Sequence, residues 1–270
     1  LALRYVSMIK RKSREAPQDT GSDVSSLEFK EFREQSCSGQ LTLLVDGHAE
    51  FRFLRYMEQA SISKLVDFFR RVLDFLDNER SLTDYHFKVC DCRKGHRGWQ
   101  VVIFHDRDGS GNGPLQVDRC MSCDLECPLS IGLTAYDSGG PTSKETLLFE
   151  QRHTRCWLDA KARPVLIFTP KRHVRRMLDL STEEMEDLWT SVCRCFRDFG
   201  IGDYKSIVAN HGARQTHAHL HLKVWLPSEE FDRCFRGAGS ATAATLERLD
   251  RWASALPMEF QGRWRSGRAR

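Results

Sequence analysis

Polar and apolar residues alternate between residues 217 and 225. His217, His219 and His221 occupy every second position, and the positions between and after them are small or apolar: Ala218, Leu220, Leu222 and Val224. A period of two is the geometry of a β-strand, whose successive side chains point to opposite faces of the sheet. The pattern therefore predicts a strand over residues 217–225 with histidines on one face and apolar residues on the other. Because a buried neutral imidazole needs partners for both ring nitrogens, we expect the histidine face to border a cleft.

Apolar residues recur at the helical period in three other segments, residues 61–77, 181–199 and 242–256. In the second segment, Ser181 and Glu184 have the spacing of a capping box at the start of a helix. Short apolar runs predict strands at residues 41–45, 86–90, 99–104, 146–150, 155–158, 165–169 and 204–209. The second and third of these runs are separated by a polar loop, so we expect them to form a hairpin.

The glycine-rich segment 108–114 separates two parts of this pattern and predicts a linker. The predicted fold class is α+β: a mostly antiparallel sheet with a long covering helix, preceded by a small N-terminal α/β unit. We expect the two units to be separable. The expected parts are a basic and polar N-terminal arm (1–40), a small α/β unit of unassigned role (41–118), the main domain (119–228), and a C-terminal helix with an arginine-rich tail (229–270).

Composition narrows the class of protein. Of the 270 residues, 40% are hydrophobic and 29% are charged, which is ordinary for a soluble globular protein. No apolar run approaches the roughly 20 residues of a membrane span, so we expect no membrane partner. A net charge of +4 suits phosphate ligands but is weak support for nucleic acid. The 10 cysteines have no regular disulfide spacing, which favours a reducing intracellular compartment, the cytoplasm or nucleus before an organelle.

The His-x-His-x-His pattern of residues 217–221 resembles the signature of the histidine triad nucleotide hydrolases and transferases. Residues 164–173, a strand followed by Pro-Lys-x-His, are similar to the family's preceding strand. Residues 178–184 resemble the start of its long helix, and the resemblance spans about residues 120–227. One departure is the loop 211–216, which is shorter than in the common phosphoramidase branch and lacks its glycine-rich run and serine.

The resemblance implies a nucleotide substrate that is cleaved at its α-phosphate. His219, the middle histidine, takes the role of nucleophile and forms a nucleotidyl-histidine intermediate. His217 and His221 flank it and orient its ring or bind the phosphate oxygens. The expected substrate-binding residues are Asn210 and Gln215, which add hydrogen-bond donors, and His173, which lies near the leaving group in the resembled fold.

A Cys-x-x-Cys pair precedes the main domain at Cys120 and Cys123, a spacing that is typical of a zinc ligand pair. By resemblance, the other ligands of a structural zinc ion are His173 and His217. A rival set combines the same pair with Cys90 and Cys92. Free thiols are the third interpretation.

Three functions agree with these observations. The first is a nucleotide hydrolase or nucleotidyl transferase acting on a phosphoramidate, a dinucleoside polyphosphate or an adenylylated adduct. The second is a structural subunit of a large, ribonucleoprotein-type assembly, favoured by the unassigned unit 41–118 and the arginine-bearing tails. The third is an enzyme that processes nucleic-acid ends. Expected protein partners are a second copy of the chain or a larger assembly.

Zinc content tests the cysteine pair. We expect about one zinc ion per chain, released when Cys120→Ser is combined with Cys123→Ser, with loss of stability because metal binding and folding are coupled. The measurement is elemental analysis of protein prepared without chelator, and protein without zinc would contradict the prediction. Zinc retained in His173→Ala but lost in Cys90→Ser would identify the four-cysteine set instead.

Overall fold

The structure is a computed structural model that describes residues 28–35, 40–46, 59–91, 98–105, 146–159, 163–215, 219–237 and 240–255. The linker predicted at 108–114, the pair Cys120 and Cys123, Cys92, His217 and the arginine-rich tail lie outside these residues. Within the described ranges, none of the helices combines the length and apolar character that crossing a bilayer requires.

The nine described strands form one sheet in which every pairing is antiparallel. Their order across the sheet is β1-β2-β4-β3-β8-β9-β7-β6-β5. Their bounds are β1 Glu28–Gln35, β2 Gln40–Asp46, β3 Tyr85–Asp91, β4 Gly98–His105, β5 Leu147–Glu150, β6 Thr154–Leu158, β7 Val165–Pro170, β8 Ser206–Asn210 and β9 Leu222–Trp225. The hairpin predicted from residues 86–104 is formed by β3 and β4.

Strand β1 lies within the segment 1–40 that the sequence predicts as an arm, and it pairs with β2 from Glu28↔Asp46 to Gln35↔Gln40, with a register shift between Phe29 and Glu31. Its sequence, EFKEFREQ, is mostly charged and does not alternate. A strand at the edge of a sheet tolerates charged side chains, which also discourage pairing with another chain. Alternation is therefore a weak signal for such a strand.

Strand β9 is shorter than the strand predicted over residues 217–225, since it begins at Leu222. The chain bends at His219, and the N–H of Leu220 donates to the carbonyl of Val174 at 2.7 Å. The buried half of the predicted alternation is confirmed, because Leu220, Leu222 and Val224 all belong to the hydrophobic core.

Helices α1 (Gln59–Asp74) and α2 (Thr182–Asp198) contact the same side of the sheet. The ring of Phe69 in α1 lies 5.6 Å from that of Phe87 in β3, and the sulfur atoms of Cys195 in α2 and Cys156 in β6 are 4.0 Å apart. A π-helical turn (Phe75–Glu79) follows α1. The remaining helices are α3 (Ser228–Phe231), continued by a π-helical turn (Asp232–Arg236), and α4 (Ala243–Ala255).

The capping box predicted at the start of α2 is formed. Ser181 Oγ accepts from the Glu184 N–H at 3.1 Å, and Glu184 Oε2 accepts from the Ser181 N–H at 2.8 Å. The same carboxylate receives two hydrogen bonds from Arg172, each 2.7 Å long. The Arg172 guanidinium, together with the hydrogen bonds from Ser181, lowers the pKa of Glu184 to about 2 against the opposing effect of burial. The start of α2 therefore anchors the segment that contains Arg172.

The two units expected from the sequence share one sheet and one core. Strand β3 pairs with β8 from His86↔Asn210 to Val89↔Ile207, and the rings of Phe69 and Trp189 stack at 4.5 Å with an interplanar angle of 4°. The boundary predicted at residue 118 lies outside the described residues and stays a prediction. The strand pairing and the shared core nevertheless lead us to expect one cooperative unit.

Truncation of Phe69 tests this cooperativity. Phe69→Ala removes the stacked partner of Trp189 and leaves a cavity between α1 and α2, so we expect a loss of about 3–5 kcal/mol in unfolding free energy. The measurement is chemical denaturation followed by far-UV circular dichroism and by tryptophan fluorescence. The exposed neighbour Asp67→Ala is the control, with a change within about 0.5 kcal/mol. Two separate transitions, with only one shifted by Phe69→Ala, would contradict a shared core.

Candidate active site

Alternation along three adjacent strands places polar side chains on the face of the sheet that does not contact the helices. Phe87, Ala209 and Leu222 are paired across β3, β8 and β9 and belong to the core beneath the helices. The neighbouring residues His86 and Asn210 are paired in register, and His221 follows as the next position across from Asn210. His86, Asn210 and His221 therefore form a row on the face that α1 and α2 leave open.

His219 is held by a backbone carbonyl at the end of β7. Its Nε2 lies 2.8 Å from the carbonyl oxygen of Pro170, and since a carbonyl only accepts, the ring nitrogen donates. The side chain is 2% exposed. Burial lowers the pKa of His219 from 6.5 to about 4, with smaller contributions from His173 and Arg155 and an opposing one from the Pro170 carbonyl. At neutral pH this ring is therefore uncharged, with its lone pair on Nδ1.

His221 has the opposite tautomer. Its Nδ1 lies 2.9 Å from the carbonyl oxygen of His219, so Nδ1 carries the proton and the lone pair is on Nε2, at the tip of the ring. The residue is 7% exposed. The two histidines thus present different nitrogens, although they are two residues apart in the same segment.

His173 contacts His219 edge to face, with ring centroids 5.1 Å apart and an interplanar angle of 84°. Burial, and to a lesser extent Arg175, lowers the pKa of His173. The residue ends the Pro-Lys-x-His segment. Two ion pairs hold the residues just before it: Arg172 with Glu184 at 2.7 Å and Lys171 with Glu150 at 3.0 Å. The structure therefore brings together His173, His219 and His221 as the sequence predicts, while His217 lies outside the described residues.

Asn210 and Gln215, the other predicted substrate-binding residues, both form hydrogen bonds with other residues of the chain. Asn210 Oδ1 accepts from His86 Nδ1 at 2.6 Å, and Gln215 Nε2 donates to the carbonyl of Arg175 at 2.6 Å. Asn210 is on the open face beside His221, whereas the described hydrogen bond of Gln215 joins two loops. Their roles toward a substrate stay predictions.

Sequence reasoning missed His86, which joins Asn210 in this site. Its side chain is half-buried, and its ring lies 5.7 Å from that of Phe104. Burial lowers the pKa of His86, and the nearby Lys88, Arg214 and Lys223 lower it further. The available signal was the alternation of His86 and Lys88 along a predicted hairpin strand, but which strand lies beside β3 is set by tertiary structure.

His211 was also missed, and it supports the loop between β8 and β9. It is 1% exposed, its ring stacks on Tyr85 at 4.4 Å, and its Nε2 accepts from the Met177 N–H at 3.4 Å. Burial lowers the pKa of His211 from 6.5 to about 3, with smaller effects of Arg176 and His86. This buried neutral ring packs the loop against the start of β3.

Gly212 follows in a 3-10 turn (Gly212–Arg214) with a φ of +59°. A Cβ at this position would overlap Asp84 Oδ1 and lie 2.6 Å from the carbonyl oxygen of Thr83. Both the backbone angle and the close approach require glycine. The short loop noted in the sequence is therefore tightly seated.

The zinc prediction is not settled by these residues. Cys120, Cys123 and His217 lie outside the described ranges, which include His173 but nothing of the rest of that ligand set. Across the described part of the chain, no group of three or more His, Cys, Asp or Glu side chains could hold a metal ion.

Known structures share this fold. No protein-family model and no curated protein sequence matches the chain. A uridylyltransferase structure has a TM-score of 0.51 at 13% identity, covering 84% of this chain and 82% of that one. An ADP-glucose phosphorylase from Arabidopsis thaliana with bound ADP-glucose has a TM-score of 0.46 at 11% identity, covering 81% and 74%. A diadenosine triphosphate hydrolase from Plasmodium falciparum has a TM-score of 0.28 at 14% identity, covering 41% and 78%.

At such low identity the likeness to uridylyltransferase shows the fold. The α+β architecture predicted from the sequence is confirmed: a mostly antiparallel sheet with a long covering helix. The N-terminal unit continues the same sheet.

The neutral buried His211 predicts a pH dependence of stability. The unfolded chain binds a proton on this ring near its ordinary pKa of about 6.5, whereas the folded chain does so only near 3. The stability that the neutral His211 ring contributes to the folded protein is therefore complete above about pH 6.5. Below that pH the free energy of unfolding decreases, by up to about 1.4 kcal/mol per pH unit, until the pH reaches about 3.

The measurement compares the unfolding free energy of wild type and His211→Gln across this range. We expect the advantage of wild type to be constant above about pH 7 and to shrink below about pH 6. An advantage that grows on acidification would show that His211 is charged in the folded protein.

Proposed function

We propose that this protein is a nucleotide hydrolase or nucleotidyl transferase that acts at an α-phosphate through a nucleotidyl-histidine intermediate. The observation that carries the proposal is the pair His219 and His221, both buried and each oriented by a donated hydrogen bond to a backbone carbonyl. A neutral imidazole whose tautomer is fixed is a competent nucleophile toward phosphorus. The fold shared with a uridylyltransferase supports the same class of reaction.

The hydrogen bonds favour His221 as the attacking residue, whereas the sequence resemblance placed that role on His219. In His219 the Nε2–H is directed at Pro170, so the lone pair is on Nδ1, the nitrogen nearer the backbone. In His221 the lone pair is on Nε2, which projects farthest from the chain. His219 then has a supporting role, because its carbonyl fixes the tautomer of His221.

In the first step, the lone pair of His221 Nε2 forms a bond to the α-phosphorus while the bond from phosphorus to the leaving group breaks. The leaving group departs with that electron pair and takes up a proton. We assign to Asn210, the neighbour of His221 across β8 and β9, the binding of a phosphate oxygen. In the second step, water or an acceptor hydroxyl or phosphate attacks the same phosphorus, the nitrogen–phosphorus bond breaks, and His221 regains its neutral state.

His173 is the side chain we assign to protonating the leaving group, because it lies against His219 at the end of the Pro-Lys-x-His segment. Since burial lowers its pKa, the ring must first take up a proton from solvent, which it then passes to the leaving group. Full ligation of zinc by the same ring would exclude this role, so the two assignments compete. A structural zinc ion remains the proposed use of Cys120 and Cys123. The partner we propose is a nucleotide, and a structural subunit of a larger assembly is the alternative if turnover is absent.

Two asparagine variants locate the nucleophile. His221→Asn keeps a polar side chain of similar reach but cannot form the intermediate, so we expect turnover to fall at least about a thousandfold. The matched variant His219→Asn keeps the carbonyl that fixes the tautomer of His221 and loses the hydrogen bond from the His219 ring to Pro170, so we expect a smaller loss, roughly ten- to a hundredfold. Both should bind nucleotide and keep the fold, as checked by circular dichroism.

Turnover is measured with three substrates: an adenosine phosphoramidate, a dinucleoside polyphosphate and an adenylylated adduct. In addition, wild-type reactions are quenched and their peptides are analysed by mass spectrometry. An acid-labile nucleotide on His221 is the expected result. A nucleotide on His219, with the larger loss in His219→Asn, would return the role to the middle histidine. No turnover of any of these compounds by folded wild type would reject the enzyme and favour the structural subunit.

A further inference from the structure

Thr169 lies beside the proposed nucleophile, on the flank opposite Asn210. Strands β7 and β9 pair as far as Phe168↔Leu222, and the next residues in the same register are Thr169 and His221. Phe168 belongs to the core beneath the helices, so Thr169 is on the open face of the sheet. It is 4% exposed, close to the 7% of His221, and both side chains therefore belong to the floor of the same site.

An indole N–H determines how the Thr169 hydroxyl is used. Trp157 lies on β6, and its Nε1–H donates to Thr169 Oγ1 at 2.9 Å. Because the indole has only a donor, the hydroxyl is the acceptor in this contact, and its own hydrogen is directed elsewhere. Within the described part of the chain, this is the one hydrogen bond of the Thr169 side chain. The hydroxyl is therefore a donor for a ligand placed over His221.

The other flank of His221 has the same construction. There, Asn210 Oδ1 accepts from His86 Nδ1 at 2.6 Å, which leaves the amide N–H groups as the donors that Asn210 presents. A ring N–H thus sets the direction of one donor on each side of His221. Adjacent strands are about 4.8 Å apart, so the backbones of Thr169 and Asn210 are separated by about 10 Å, with His221 between them.

We propose that the Thr169 hydroxyl donates a hydrogen bond to a non-bridging oxygen of the phosphoryl group that His221 attacks, and that Trp157 is the positioning residue that directs it. Asn210 binds the other non-bridging oxygen from the opposite flank. Donors that are oriented before the reaction stabilise charge on these oxygens without reorganisation. The catalytic role of Thr169 rests on the proposed function, whereas its contact with a bound nucleotide phosphate does not require turnover.

Thr169→Val removes the hydroxyl and keeps the shape of the side chain. We expect kcat/KM for an adenosine phosphoramidate to fall about a hundredfold, because one oriented donor is lost. Thr169→Ser keeps the hydroxyl and should retain most of the activity. The matched control is Thr154→Val: Thr154 is a buried threonine of β6 on the face that contacts α2, and its variant should turn over substrate like wild type. Circular dichroism confirms that each variant is folded.

Trp157→Phe tests the positioning role, since phenylalanine keeps an aromatic ring but has no N–H. We expect kcat/KM to fall about tenfold, less than in Thr169→Val, because the hydroxyl remains but is no longer directed. In the double variant, the change at Trp157 should add nothing to the loss caused by Thr169→Val. Losses that multiply in the double variant would show that Trp157 does not act through Thr169 and would overturn the positioning role.

The two diastereomers of an α-phosphorothioate analogue of the same substrate identify the contacted oxygen. Sulfur is a weak hydrogen-bond acceptor, so replacing the oxygen that Thr169 contacts removes the advantage of the hydroxyl. With that diastereomer, wild type and Thr169→Val should react at similar rates, whereas with the other the difference should remain about a hundredfold. The same loss in Thr169→Val with both diastereomers would mean that the hydroxyl acts on the fold, and it would overturn the contact.

Binding separates this inference from the proposed reaction. Isothermal titration calorimetry of the full chain with adenosine monophosphate should show an affinity at least about tenfold lower in Thr169→Val than in wild type or Thr154→Val. That result without turnover by wild type would keep the contact and reject the reaction. Equal turnover by wild type and Thr169→Val would keep the reaction and overturn the contact. Absence of both turnover and Thr169-dependent binding would overturn both proposals.

Discussion

The pairing of β3 with β8 is the constraint on which the site depends. It joins strands that are more than a hundred residues apart in the chain, from His86↔Asn210 to Val89↔Ile207. Through it, a histidine and a lysine from the first half of the chain lie beside the histidine segment of the second half. The stacked rings of Phe69 and Trp189 hold the covering helices together on the other face. The N-terminal half is thus part of the site.

Burial and backbone hydrogen bonds together determine what the histidines can do. Desolvation keeps His219 and His211 uncharged at neutral pH, and a carbonyl partner decides which nitrogen of His219 carries the proton. The carbonyl of His219 has the same effect on His221. Main-chain geometry therefore gives these two histidines opposite tautomers.

Much of this could be predicted from local pattern. The capping box of Ser181 and Glu184, the β3–β4 hairpin and the buried residues Leu220, Leu222 and Val224 follow from periodicity and spacing. Charged β1 could not be predicted, because an edge strand has no need of alternation. The contacts of His219 with Pro170 and of His86 with Asn210 span 49 and 124 positions, so no local signal encodes them. The tautomers of His219 and His86 depend on those contacts.

Gly212 has a consequence for how this chain can vary. Any side chain at that position must push Thr83 and Asp84 away from the loop, and these residues lead directly into β3. Displacing the start of β3 draws His86 away from Asn210, its partner in the adjacent strand. The absence of a side chain at residue 212 therefore sets how closely the loop after β8 approaches the residues that precede β3. A library that randomises residue 212 will therefore recover mostly glycine, because the added Cβ meets the backbone carbonyl of Thr83, which no substitution at residue 83 removes.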